Sequence, residues 1–257
     1  MASFVSADWV RERLGATGFV VIDPRSAMRY LMGHLQLAVS IPYKKLSDPE
    51  GKLLPISQLA EALGWMGLGD SDTPVIYDGH DGRNAAMLAW VLEYLGRDDV
   101  HIMDVTFQHW VAEGREIFYR PVEADSQNFS AQERQQLRAA LADVSADSSA
   151  IVIDLRGSDE YAGDDENDER PGHIPGSLNI EWNKLAGDKG QLICTEYKAR
   201  SLLEAAGVRP GDPIVAMCRS GVRASLGSLA WRRLGYDVRL YPESYLEYMA
   251  SGLAVER

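Results

Sequence analysis

The stretch Cys218-Arg219-Ser220-Gly221-Val222-Arg223-Ala224 concentrates groups suited to covalent chemistry: one thiol, two guanidinium groups and a Ser-Gly pair. The apolar run before it, Pro213-Ile214-Val215-Ala216-Met217, has the length and composition of a short buried strand. After it, Leu226, Leu229, Ala230, Arg233 and Leu234 recur at helical spacing, and Gly235 closes the pattern. Cys218 is therefore expected at the tip of a strand, in a loop that opens a helix. That geometry aims backbone N–H groups and the positive end of a helix dipole at the sulfur, and Arg219 and Arg223 add two positive charges. A free thiol is only a few per cent ionised at neutral pH; a helix N-terminus and cationic neighbours favour the thiolate, which is the nucleophile. The chemistry expected is nucleophilic catalysis by Cys218 through a covalent intermediate, with no separate general base. Arg219, Ser220, Gly221, Val222 and Arg223 would hold an anionic substrate through guanidinium groups and loop amides.

The elements that position this loop must come from a chain of 257 residues, enough for one large or two medium domains. Its apolar share of 46% can supply a real core. The net charge of -12 argues against nucleic acid or an anionic membrane as partner, and makes the basic loop a local anion site. Only two cysteines occur, Cys194 and Cys218, so no disulfide framework is indicated. The first residues do not have the pattern of a signal peptide, and no apolar run approaches the length of a membrane span. The expectation is a soluble, cytoplasmic protein. No residue set suggests a metal or a cofactor.

The two halves repeat each other. Ser6 precedes a helical stretch and then the run Phe19-Val20-Val21-Ile22-Asp23-Pro24-Arg25; Ser130 precedes a helical stretch over 133–141 and then the run Ala150-Ile151-Val152-Ile153-Asp154-Leu155-Arg156, each read as a buried strand ending in Asp-x-Arg. Gly33-His34 has a counterpart in Gly172-His173. Pro74-Val75-Ile76-Tyr77-Asp78 matches Pro213 to Cys218, and Ala89-Trp90 with Leu95-Gly96 matches Ala230-Trp231 with Leu234-Gly235. Pro74 to Trp90 spans 16 residues and Pro213 to Trp231 spans 18, which gives the cysteine-bearing copy the larger loop. The acidic run over 164–169 is an insertion of the second half and reads as a solvated surface loop. Because Asp-x-Arg and Gly-His recur in the half without a cysteine, Asp154, Arg156 and His173 read as structural. Cys194 reads as a packed small residue, and Trp90 and Trp231 as core. Alternating strands and helices indicate an α/β fold, each half a parallel sheet flanked by helices, with the site beyond the C-terminal strand ends.

Four motifs, in order, carry a resemblance. They are Asp154–Arg156, the Gly172-His173-Ile174-Pro175-Gly176-Ser177 turn with Asn179, the cysteine loop, and Tyr241-Pro242-Glu243-Ser244-Tyr245-Leu246-Glu247-Tyr248. The chain resembles the tandem-domain rhodaneses, the thiosulfate sulfurtransferases, over nearly its whole length. The resemblance implies two tandem rhodanese-like domains: an inactive one over 1–122, a linker over 123–128 and a catalytic one over 129–257. It implies that Cys218 takes the sulfane sulfur of thiosulfate as a persulfide and passes it to cyanide or a thiol, a sulfur-relay protein being a further acceptor. Arg219 and Arg223 would hold the sulfonate oxygens. The first half has Asp78-Gly79-His80-Asp81-Gly82 in place of the cysteine loop, and Asp78, His80 and Asp81 are candidates to line a cleft. Three alternatives stand beside this reading. Mercaptopyruvate sulfurtransferases are similar, but carry small neutral residues where Arg219 and Arg223 stand. Cysteine phosphatases of related fold use a loop one residue longer. A binding protein would have no need of the cysteine and arginines.

Overall fold

The computed structural model describes residues 1–145, 148–164 and 169–257. It divides into two compact units: Met1–Arg134 with Gly187–Ile193, and Gln135–Ala186 with Cys194–Arg257. The first unit contains β1 (Ser3–Val5), α1 (Ala7–Arg11), β2 (Phe19–Asp23), α2 (Ala27–Leu31) and β3 (Val39–Ser40). It continues with α3 (Ile56–Trp65), β4 (Thr73–Ile76), α4 (Arg83–Tyr94), β5 (His101–Met103) and α5 (Phe107–Ala112). Its sheet has the order β1-β5-β4-β2-β3, all parallel. The second unit contains β6 (Ile151–Asp154), α6 (Ser158–Ala162), β7 (Leu178–Asn179), α7 (Glu196–Ala205) and β8 (Ile214–Met217), then α8 (Val222–Arg232), β9 (Val238–Leu240) and α9 (Ser244–Ala250). Its sheet has the order β7-β6-β8-β9, again all parallel. Where β1 lies beside β5 in the first unit, Arg138 makes a single parallel bridge to Leu240 in the second.

The central strands are short apolar runs because both faces are covered. All four residues of β8 are buried, and so is every residue of α8 from Ala224 to Trp231. Trp231 is fully enclosed, and its indole N–H donates to the Ala199 carbonyl at 3.1 Å. Trp90 is buried in α4 and stacks on Tyr94.

Three sequence expectations change. The stretch 133–141 is not a helix; it holds short 3-10 turns over Gln135–Leu137 and Leu141–Val144. Ser6 caps α1 as expected, by accepting the Trp9 N–H. Ser130 caps nothing, because its hydroxyl and N–H both donate to the Asp70 carboxylate. The N–H groups of Gln132 and Arg134 donate to the carbonyls of Leu95 and Tyr94, each at 2.8 Å, so this segment is bound to the end of α4. The expected linker, 123–128, likewise lies along the first unit, with the Gln127 N–H donating to the Gly64 carbonyl at 2.9 Å.

The second change concerns register. Val20 pairs with Pro74, whereas its counterpart Ile151 pairs with Ile214, so Pro74 matches Ile214 rather than Pro213. Pro74 is tolerated inside a strand because β5 joins β4 only from Val75 onward, leaving no partner that its missing N–H would serve. The third follows from it. Gly82 and Gly221 are the equivalent residues before α4 and α8, so the cysteine loop is one residue shorter than its counterpart, not longer. The Ala-Trp pairs do not correspond; Trp90 lies eight residues after Gly82 and Trp231 ten after Gly221. Of the acidic run over 164–169, residues 165–168 lie outside the described residues.

Candidate active site

Cys218 follows the last residue of β8 and is 1% exposed. The chain turns at once into α8 through Gly221, whose φ of +80° is left-handed. A Cβ at that position would stand 2.6 Å from the Pro242 carbonyl oxygen, so both the conformation and the space require glycine. The loop is pinned from behind by the start of α9. Ser244 Oγ accepts the N–H groups of Cys218 and Gly221, each at 3.1 Å, and donates to the Tyr241 carbonyl at 2.6 Å. In return the carbonyls of Cys218 and Arg219 accept the N–H groups of Tyr245 and Leu246, at 3.0 and 3.1 Å. Loop carbonyls thus take the place of a side-chain cap on α9. Ser244 is fully buried and left-handed itself, with φ of +53°. Its importance was hidden in the sequence; the Tyr241-to-Tyr248 segment stood out as a block, and nothing in it singles out the serine.

The loop residues do not all face the same task. The Gly221 N–H is committed to Ser244 and the Val222 N–H to the Ser220 carbonyl at 3.0 Å. Ser220 and Arg219 are half-buried. Arg223, in the first turn of α8, forms a two-pronged ion pair with Glu160 of α6: Nη2 is 2.8 Å from Oε1, and Nη1 bonds Oε2. Each side chain is 18% exposed. Burial alone would weaken the Arg223 charge, but the hydrogen bonds to Glu160 and the attraction of the Cys218 sulfur outweigh it and hold that charge firmly. Burial would likewise raise the Glu160 carboxyl; the Arg223 guanidinium and the Gly157 N–H, donated at 3.0 Å, keep it below the usual glutamate range.

Beneath the loop, Asp154 and Arg156 are completely buried and form a bidentate pair, Arg156 Nη2 to Asp154 Oδ2 being 2.7 Å. The same nitrogen donates to the Gly172 carbonyl at 2.8 Å, and the guanidinium lies 3.7 Å from the Tyr245 ring centre. Asn179 Nδ2 clamps the carbonyls of Asp154 and Arg156. Asp23 and Arg25 repeat this arrangement, with Arg25 donating to the Gly33 carbonyl and lying 4.1 Å over Phe107. The His173 ring donates to the Tyr161 carbonyl at 2.8 Å and stacks on the Tyr161 ring, and His34 does the same with Tyr30. These residues build the scaffold in both units. Cys194 is half-buried, and burial pushes its thiol up, away from the reactive form.

In the first unit Asp78 occupies the place of Cys218: its carbonyl accepts the Phe107 N–H at 2.8 Å, as that of Cys218 accepts from Tyr245. Its buried carboxylate takes the N–H groups of Gly79 and Ala85, at 2.6 and 2.9 Å. Asp78, His80 and Asp81 line an open cleft of about 270 Å³ together with Arg25, Arg29 and Arg83. Arg83 is paired with Asp81 at 2.8 Å.

Among the described residues no helix is long and apolar enough to cross a membrane. A family model described as a rhodanese-like domain matches twice, over residues 6–113 and 133–251. The thiosulfate sulfurtransferase of Corynebacterium glutamicum is 31% identical over 268 residues, covering 95% of this chain and 86% of that protein. The crystal structure of the 3-mercaptopyruvate sulfotransferase SseA from Escherichia coli superposes with a TM-score of 0.85 at 26% identity, covering 95% of this chain and 99% of that one. Wild-type EanB, at 20% identity, shares the fold with a TM-score of 0.89 over 98% of this chain and 68% of its own. With both sheets parallel, the Asp-x-Arg and Gly-His scaffold present twice and a cysteine loop in the second copy alone, the chain belongs to the rhodanese family of sulfurtransferases, one rhodanese-like domain in each half.

Proposed function

We propose that the protein moves the sulfane sulfur of thiosulfate to a nucleophilic acceptor through a persulfide on Cys218. The observation that carries this is the position of Cys218: buried at the end of β8, in a loop that opens the 11-residue helix α8, with Arg223 in that helix's first turn. In the first step the Cys218 thiolate attacks the outer sulfur of thiosulfate. A new S–S bond forms, the S–S bond of thiosulfate breaks, and sulfite leaves with the electron pair. In the second step cyanide, or a thiolate, takes the terminal sulfur and returns Cys218 to a thiolate, so no external oxidant or reductant is needed. The first-turn dipole of α8, Arg219 and Arg223 oppose the negative charge carried by donor and persulfide. Ser220, Gly221 and Val222 shape the turn that keeps those groups together. The first domain, with Asp78 in the cysteine's place, has no nucleophile for this step and serves as an inactive partner.

The second reading, 3-mercaptopyruvate as the donor, is favoured by the likeness to SseA over 95% of this chain and 99% of that one. Two arginines in the loop and the C. glutamicum relative favour thiosulfate. Intact-mass spectrometry after incubation with each donor tests both. The expected result is one added sulfur from thiosulfate that disappears on adding cyanide, lost in Cys218→Ala and retained in Cys194→Ala. An adduct that survives Cys218→Ala, or forms with mercaptopyruvate and not with thiosulfate, overturns the proposal.

A further inference from the structure

Glu160 has no part in the persulfide chemistry itself, yet it holds Arg223, in the first turn of the helix that follows Cys218, in a two-pronged ion pair. Arg223 stands in the first turn of α8, five residues after Cys218, and its guanidinium end is held by both oxygens of one carboxylate. Both side chains are four-fifths buried, so the carboxylate screens Arg223 far more than water and salt would. Glu160 comes from α6, a different element from the loop, and its backbone is fixed independently: its carboxylate caps Gly157 and Tyr161 N–H continues the turn to the Gly157 carbonyl. The negative charge is therefore built in, not a chance surface contact.

We propose that Glu160 sets how the site weighs the charge of its sulfur donor: by holding Arg223 with both carboxylate oxygens it offsets part of that cation's attraction, so the second negative charge of a dianionic donor gains less from Arg223 than it would from an unopposed guanidinium. Glu160 touches neither sulfur nor donor; it is a positioning and charge-balancing residue. The inference rests on the sulfurtransferase reading above. It deepens that reading by naming what discriminates a dianion from a monoanion.

The test compares two donors with the same sulfane chemistry and different charge, thiosulfate (two negative charges) and methanethiosulfonate (one). With the second donor the Cys218 thiolate takes the terminal sulfur and methanesulfinate leaves with the electron pair, so both reactions balance alike. The measured quantity is the ratio of kcat/KM for the two donors. Glu160→Gln keeps an oxygen to cap Gly157 and removes the charge; the thiosulfate-to-methanethiosulfonate ratio is expected to rise about tenfold, through KM for thiosulfate. Arg223→Gln is expected to lower the ratio by a similar factor. The double variant removes one charge of each sign and is expected to return the ratio to within about threefold of the wild type, although its absolute activity is lower. A purely structural role for Glu160 predicts that both donors lose rate alike in Glu160→Gln, so an unchanged ratio in that variant, or a double variant whose ratio does not return toward the wild type, overturns the inference while leaving the sulfurtransferase reading intact. If the wild type gains no sulfur from either donor, the functional reading fails and this inference with it. Thermal unfolding of each variant separates loss of fold from loss of discrimination.

Discussion

Ser244 holds the cysteine loop by a single oxygen that receives two buried amide protons and gives its own to Tyr241. Removing that oxygen leaves the Cys218 and Gly221 N–H groups without an acceptor in a dry interior. An unsatisfied buried donor costs roughly 1–3 kcal/mol, so Ser244→Ala is expected to destabilise the protein by about 2–4 kcal/mol once the two losses partly relax together. Alanine has an added penalty, because residue 244 is left-handed. Ser244→Gly loses the same oxygen without that strain and is expected to be the more stable of the two by about 1 kcal/mol. Thermal or urea unfolding of both variants measures this difference. Loss of activity should exceed loss of fold in each, since the loop amides set where the sulfur stands. Equal stabilities for the two would mean that residue 244 relaxes out of the left-handed region when its hydroxyl is gone.

Elements behave differently from residues in how far the sequence reveals them. Strands β2, β4, β6 and β8 and helix α8 were legible because short apolar runs and a 3.6-residue period report burial directly. Cys218, Arg219 and Arg223 were legible because their chemistry is in their side chains. Three things were not. The stretch 133–141, expected as a helix, instead gives its Arg134 N–H to the Tyr94 carbonyl and its Ala139 N–H to the Leu240 carbonyl, distant partners that local pattern does not report. Matching proline to proline put β4 and β8 out of register by one, because equivalence lies in strand pairing and not in residue identity. The link from α6 to α8 depends on Glu160 meeting a residue 63 positions away. That link has a pH signature. Glu160 sits below its unfolded value of about 4.5, so the stability it contributes is present above about pH 4.5 and is lost as pH falls through the folded value. The stability difference between the wild type and Glu160→Gln should therefore be constant near neutrality and shrink on acidification below about pH 4.5. Denaturant titrations at a series of pH values check it, and a difference that grows in acid would contradict the pairing.

At the scale of the whole molecule, the same scaffold is used twice and equipped differently. Each unit has the buried Asp-Arg pair and the stacked histidine, yet only the second has a cysteine after its central strand. Segment Gly187–Ile193 belongs to the second half in sequence and to the first unit in space, with the Thr106 N–H donating to the Gly190 carbonyl at 2.8 Å. Its composition gives no sign of where it docks. The units share one electrostatic setting, a net charge of -12. An approaching thiosulfate dianion meets long-range repulsion from that charge before it meets the arginines of the loop. Salt screens charges separated by more than a Debye length, about 8 Å at physiological ionic strength, and screens half-buried contacts much less. Raising sodium chloride from about 10 to 150 mM is therefore expected to weaken the repulsion more than the local attraction, and to raise kcat/KM for thiosulfate by about two- to threefold. The singly charged methanethiosulfonate should gain less, because its long-range term is half as large. Steady-state rates for both donors across the salt series measure the balance. If the thiosulfate rate constant falls steadily with salt while the other does not change, the local arginines govern the approach as well as the contact, and Glu160 balances less of their charge than its geometry indicates.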